Sequence, residues 1–231
     1  MWAHGFAEFK SRQASSTEVR TRSHPRRVSQ FAWLSFLALF SILSYSFANW
    51  LTGLRNQIPS IVLPFDHRIP FLAWTIIPYL SLHLFFGAAF FICRTNDEVQ
   101  SLGCKLLTAQ LAAVACFIVY PLRFSFNRPA VEGVLGYFYQ LLDMFDRPFN
   151  QAPSLHIAVL TILSVHYGHI LQSRSKILMT SIYAWFLLIG CSVFTTYQHH
   201  LIDLPTGVLL GALCIGVWSL ASFHGDQKAL Q

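Results

Sequence analysis

Six stretches of the chain are apolar over long distances, and short polar segments separate them. Phe31–Leu51 contains no charged residue. Ile69–Cys93 follows, with Pro70, Pro78 and His83 inside it. Leu106–Leu122 is the third stretch, and Pro153–Leu171, carrying His156, His166 and His169, is the fourth. Ile177–Tyr197 is the fifth, and Leu201–Phe223, with Asp203 near its start, is the sixth. A helix that crosses a bilayer needs about 20 mainly apolar residues. The pattern predicts an all-α, polytopic membrane protein, a bundle of six transmembrane helices. The first stretch has too long an apolar core for a cleavable signal peptide, and no Ala-x-Ala-like site follows it. It is expected to be an uncleaved signal anchor. No internal repeat or low-complexity segment interrupts the pattern.

The longest polar connection, residues 123–152, lies between the third and fourth stretches. Within it Val134, Leu135, Phe138, Leu141, Leu142 and Phe145 recur at helical spacing. This predicts a short helix, either lying in the membrane interface or packed on the bundle as a lid.

Composition agrees with the pattern. The 231 residues are 54% hydrophobic and 11% charged, against about 25% charged in a soluble domain. The net charge of +6 does not imply nucleic acid, because of where it lies. Lys10, Arg12, Arg20, Arg22, Arg26 and Arg27 precede the first apolar stretch, the place of a cytoplasmic topogenic signal and of contact with anionic lipid. With six spans, Arg94, Lys105, Arg174, Lys176 and Lys228 fall on the same side, giving eleven basic residues there. Arg55, Arg68, Arg123, Arg128 and Arg147, five in all, fall on the other. Both termini are therefore expected in the cytoplasm. The expected organisation is a basic cytoplasmic tail at 1–30, a membrane domain at 31–223 and a short cytoplasmic tail at 224–231. The five cysteines lie in or beside apolar stretches without a Cys-x-x-Cys pair and read as small buried hydrophobes.

Three polar clusters meet at the non-cytoplasmic edge under this topology. They are Arg123-Phe-Ser-Phe-Asn-Arg128-Pro129, Pro153-Ser154-Leu155-His156 and His199-His200-Leu-Ile-Asp203. His199 and Asp203 are four positions apart and on a helix would share a face. A carboxylate there fixes one imidazole nitrogen and leaves the other as nucleophile or base. His156 offers a second proton-transfer group. Arg123 and Arg128 offer fork-shaped donors for phosphate oxygens, and Ser154 opens an anion-friendly helix start. The set suits phosphoryl transfer through a phosphohistidine.

These residues resemble the signatures of the type 2 phosphatidic acid phosphatase superfamily, closest to its branch containing inositol phosphorylceramide synthase. Arg128-Pro129 is similar to the end of the first signature, and Pro153-Ser154-Leu155-His156 to the second, with Leu in place of Gly. His199 and Asp203 are similar to the third, with Ser192 at the required distance before His199. The resemblance extends over roughly residues 60–220 and includes Pro64-Phe65-Asp66-His67. It implies a membrane-embedded lipid phosphatase, acting on a lipid-linked phosphate at the non-cytoplasmic face without a metal or other cofactor. His199 would attack phosphorus, Asp203 would orient it, and His156 would protonate the leaving alcohol and then activate the acceptor. Arg128 and Ser154, with Arg123 nearby, would hold phosphate oxygens. An alcohol acceptor in place of water would make the protein a phosphotransferase. Pro121 and Val193 stand where the signatures have Lys and Arg.

Two other readings use the same residues differently. His199, His200, Asp203 and His156 are metal-ligand types, although the repeated histidine boxes of membrane di-iron oxygenases are absent. His83, in the middle of the second stretch, is the kind of intramembrane ionisable group that marks a transporter or lipid-binding path.

Overall fold

The computed structural model describes residues 27–228, without the side chains of Phe145 and of residues 221–228. Most of the basic tail, and the last three residues, lie outside the described residues. Within them the chain is helical, with no strand; one isolated bridge joins Leu122 to Asn150. The helices are α1 (Arg27–Gly53), α2 (Ile76–Ile92), α3 (Asn96–Val119), α4 (Gly133–Phe145), α5 (Leu155–Leu171), α6 (Lys176–Thr195) and α7 (Asp203–Lys228). Five helical segments are long and apolar enough to cross a membrane: Arg27–Gly53, Ala73–Ile92, Asn96–Val119, Lys176–Thr195 and Asp203–Leu220. The sixth bundle helix, α5, is equally apolar but has 17 residues.

α5 is the central helix and packs against α2, α3, α6 and α7. Its contact with α7 is close because α7 presents glycine there. A Cβ on Gly207 would meet Ser154 O at 2.6 Å, and one on Gly211 would meet Ala158 O at 2.8 Å. Small residues four apart let two helix backbones approach in this way. α1 lies outermost, packed mainly on α3.

The two ends of the bundle are tied by different bonds. At one end Gln30 Nε2 donates to Phe90 O (3.0 Å) and Arg94 caps α5 by donating to Ile170 O (2.6 Å). At the other, Arg55 donates to Ile118 O (2.6 Å), and Leu72 N donates to Thr195 O (2.9 Å). The same end gathers α4 and the connection around it: Arg123 N donates to Pro59 O (2.9 Å) and Phe124 N to Pro148 O (2.8 Å). All the polar clusters of the sequence except the tail converge on this end.

Element boundaries differ from the apolar windows where local chemistry overrides hydropathy. α3 begins at Asn96, well before Leu106. Thr95 Oγ1 accepts from Glu98 N (3.1 Å), while Glu98 accepts from Arg94 N (2.6 Å). This reciprocal cap carries the helix through a polar first turn. The second stretch starts late, since residues 69–72 are extended and only a short 3-10 turn, Ala73–Thr75, leads into α2. α7 runs on to Lys228, past Phe223. The expected short helix is present as α4, its apolar face on the bundle through Leu135, Phe138, Tyr139 and Leu142.

Candidate functional site

The connection between α6 and α7 carries the central pair. α6 ends at Thr195, and its last turn is closed by Thr196 N donating to Ser192 O (2.9 Å). Tyr197 then takes a left-handed backbone conformation (φ 57°), a costly one for a residue with a side chain. It is held there by its hydroxyl donating to Ile69 O (3.1 Å) and by ring contacts with Phe71, Phe124 and Phe126. The reversal sets His199 in an irregular connection instead of on a helix, facing back toward Asp203, the first residue of α7.

His199 Nδ1 lies 3.1 Å from Asp203 Oδ2, and both side chains are buried. The same Oδ2 accepts from His200 N (3.0 Å). The carboxylate thereby fixes the ring and the turn together, leaving Nε2 as the nitrogen of His199 available for chemistry. His199 lines a cavity of about 720 Å³. His156, one residue into α5, lines the same cavity. Its ring stacks on Tyr79 (centroids 4.2 Å apart, planes at 11°), and its Nε2 is buried without a hydrogen-bond partner. A buried imidazole nitrogen without a partner is costly in a finished site and ordinary where a substrate group completes it.

The two arginines are placed differently. Arg128 reaches the site but is held by protein groups. Its Nη1 bonds Asp143 (2.7 Å), its Nε donates to Thr196 O (3.2 Å), and it lies 4.8 Å over the Tyr139 ring. Gln198, with its amide oxygen turned toward Arg128, donates to Asp146 Oδ2 (3.2 Å). Arg123 has an exposed side chain outside the cavity. Ser154 is fully buried as the N-cap of α5, its Oγ accepting from Ile157 N (3.4 Å). His166 sits at the opposite end of the bundle, near Cys93 (3.7 Å) and Ala89 O (3.3 Å). His83 is exposed on α2, with its ring edge toward His156 (6.3 Å).

Several site residues gave little sequence signal. Asp146, after α4, accepts from the Tyr45 hydroxyl of α1 (2.7 Å), and Asn150 donates to Tyr45 O (3.4 Å). Tyr45, Asp146 and Asn150 all line the cavity. Burial pushes the Asp146 carboxyl above the usual range, against the opposing pull of the Tyr45 hydrogen bond, His199 and Arg128. Asp66 is the other acid. It accepts from Leu63 N (2.6 Å) and Leu201 N (2.8 Å) and lies 3.7 Å from His200 Nδ1. His200 turns away from the cavity toward Ser125, with Nε2 at 3.2 Å from its Oγ and accepting from its N–H (3.3 Å). The ring stacks on Phe124 (4.4 Å). Among the described residues, no group of three or more His, Cys, Asp or Glu side chains is placed to hold a metal ion.

No family model, curated protein or solved structure matches this chain.

Proposed function

We propose that the protein is an integral membrane lipid phosphatase with six spans. It would act on a lipid-linked phosphate at the non-cytoplasmic face, through a phosphohistidine on His199. The observation that carries this reading is the buried His199–Asp203 pair at 3.1 Å, opening on a cavity that also holds His156. α5 counts as a span here. At 1.5 Å per residue it is about 26 Å long, a few ångströms short of the hydrocarbon core. Of the residues ahead of it, Asp146 and Asn150 are bonded to Tyr45 of α1.

The reaction runs in two displacements. Nε2 of His199 attacks phosphorus and the bond to the alcohol oxygen breaks. His156 gives that oxygen its proton, so the lipid alcohol leaves neutral. Asp203 stabilises the positive charge that the imidazole gains. His156 then takes a proton from water, whose oxygen attacks phosphorus. The P–N bond breaks, freeing phosphate and restoring His199. Arg128 stands at the edge of this site. To hold a phosphate oxygen it must exchange one of its protein partners, and the half-exposed pair with Asp143 is the cheapest to release. Phosphotransfer to an alcohol instead of water shares the first displacement. Asp146 and Asn150, on the cavity wall, are groups suited to an acceptor hydroxyl.

The test is a panel of lipid phosphates, with and without added alcohols, given to purified protein. Wild type should release phosphate or exchange the headgroup and should yield acid-labile phosphate on His199. His199→Ala should lower turnover by at least about a thousandfold, the scale for losing a catalytic nucleophile, while His200→Ala should retain turnover. Acid-labile phosphate on His200, or no turnover across the panel beside an active control enzyme, would refute the assignment.

A further inference from the structure

We infer that the cleft between α1 and α2 is the seat and side entrance for the hydrocarbon chain of the substrate, which reaches His199 from within the bilayer plane. The inference rests on His199 as the phosphate-receiving residue, and it concerns where the rest of the molecule lies. α1 and α2 touch at the end of the bundle remote from the site. There Gln30 bonds Phe90 O (3.0 Å) and Phe31 packs edge-on against Phe91 (5.1 Å). Above this clamp the two helices part. The cavity fills the gap, with Ala38, Ile42 and Tyr45 on one wall and Leu80, His83 and Phe86 on the other.

Three features specify the occupant. Depth is the first: the α1 wall runs from Leu34 to Ser46, about 18 Å at 1.5 Å per residue, matching an extended alkyl chain and not a headgroup. Polarity is the second. Tyr45, Asp146, Asn150, His156 and His199 gather toward one end, while leucine, isoleucine and phenylalanine dominate the remainder. An amphiphile with its phosphate at His199 would therefore lay its chain along the apolar part. Openness is the third. Ala38, Ile42 and His83 are exposed although they line the cavity, so the gap opens through the flank of the bundle. Phe138, Leu141 and Leu142 of α4 lie over its polar end. The substrates so favoured are long-chain phosphate esters that stay in the membrane.

The experiment uses the full chain in lipid nanodiscs with hexadecyl phosphate and butyl phosphate, which share one phosphate group. Ala38→Trp places a large ring in the cleft, and Leu39→Trp places the same ring on the outer face of α1. The ratio of kcat/KM for hexadecyl over butyl phosphate should fall at least tenfold in Ala38→Trp and stay within twofold in Leu39→Trp. An unchanged ratio in Ala38→Trp overturns the inference. A second measurement needs neither turnover nor a folded tryptophan variant. Hexadecyl phosphate carrying a diazirine along its chain is photolysed with His199→Ala protein, and labelled peptides are identified. Labels on α1 and α2, displaced by excess hexadecyl phosphate but not butyl phosphate, support the cleft. Labels elsewhere, or labels that no phosphate ester displaces, sink it. If neither ester turns over yet labelling falls in the cleft, the reaction assignment fails and the chain site stands.

Discussion

Two adjacent histidines, His199 and His200, occupy opposite environments, and the difference decides what each can do. His199 turns one nitrogen to Asp203 and faces the cavity. His200 is buried at 2% exposure between Phe124, Ser125 and Asp66. The backbone between them is gripped by two carboxylates, Asp203 on His200 N and Asp66 on Leu201 N. His200 is thus a strut beneath the nucleophile. Burial holds its pKa below 6.5, outweighing the upward pull of Asp66 and Asp203. Below pH 6.5 the unfolded chain therefore binds a proton at this position that the folded chain refuses. The stability contributed is complete above that pH and is lost as pH falls toward the lowered folded value. Thermal unfolding in detergent should show a lower midpoint at pH 5.5 than at pH 7.5. His200→Gln should shrink that difference. An equal difference in both proteins would show that other groups set the acid sensitivity.

At the scale of elements, the seam between α5 and α7 positions the site, because α5 carries His156 and α7 begins with Asp203. Gly207 and Gly211 bring the two backbones together, and Gly216, further along α7, has nothing within 4 Å of the place its Cβ would occupy. Gly211→Ala should destabilise by about 1–3 kcal/mol, the usual cost of overpacking, and Gly207→Ala should in addition lower activity by displacing Ser154. Gly216→Ala should be neutral or slightly stabilising in the helix. Equal melting points for all three would mean that the seam is looser than its geometry. Much of this level is legible in the sequence. The apolar periods locate the bundle helices and α4, whereas the close seam at Gly207 and Gly211 emerges only from the packing. The Thr95–Glu98 cap of α3 is written just as locally, but in polar residues that an apolar window passes over. The site is legible only where partners are near in sequence. His199 and Asp203 announce each other by nearness in sequence, although His199 lies ahead of α7 and not on the helix face that the spacing predicts. Tyr45, Asp66 and Asp146 do not, because Tyr45 meets Asp146, and Asp66 meets Leu201, across more than a hundred residues.

For the whole molecule, orientation is the property on which the proposed chemistry depends, and charge is what is expected to set it. Arg55, Arg68, Arg123, Arg128 and Arg147 all belong to the site end. One of them has acids close by: Arg128 pairs with Asp143 and acts electrostatically on the Asp146 carboxyl. Topogenesis counts Lys and Arg and is little affected by Asp and Glu, so these acids do not rescue the count. Without the five basic residues before Arg27, the remote end and the site end would carry six and five, nearly a tie. The tail is therefore expected to decide which way the bundle faces. In a variant with all five cysteines replaced, Asn127→Cys at the site end should react with a membrane-impermeant maleimide on intact cells. Ser173→Cys, between α5 and α6, should react only after permeabilisation. Exchanging Lys10, Arg12, Arg20, Arg22 and Arg26 for Gln should make both positions partly reactive from outside. Labelling of Ser173→Cys alone on intact cells would place His199 at the cytoplasmic face, and the substrate would then be a lipid phosphate of the inner leaflet.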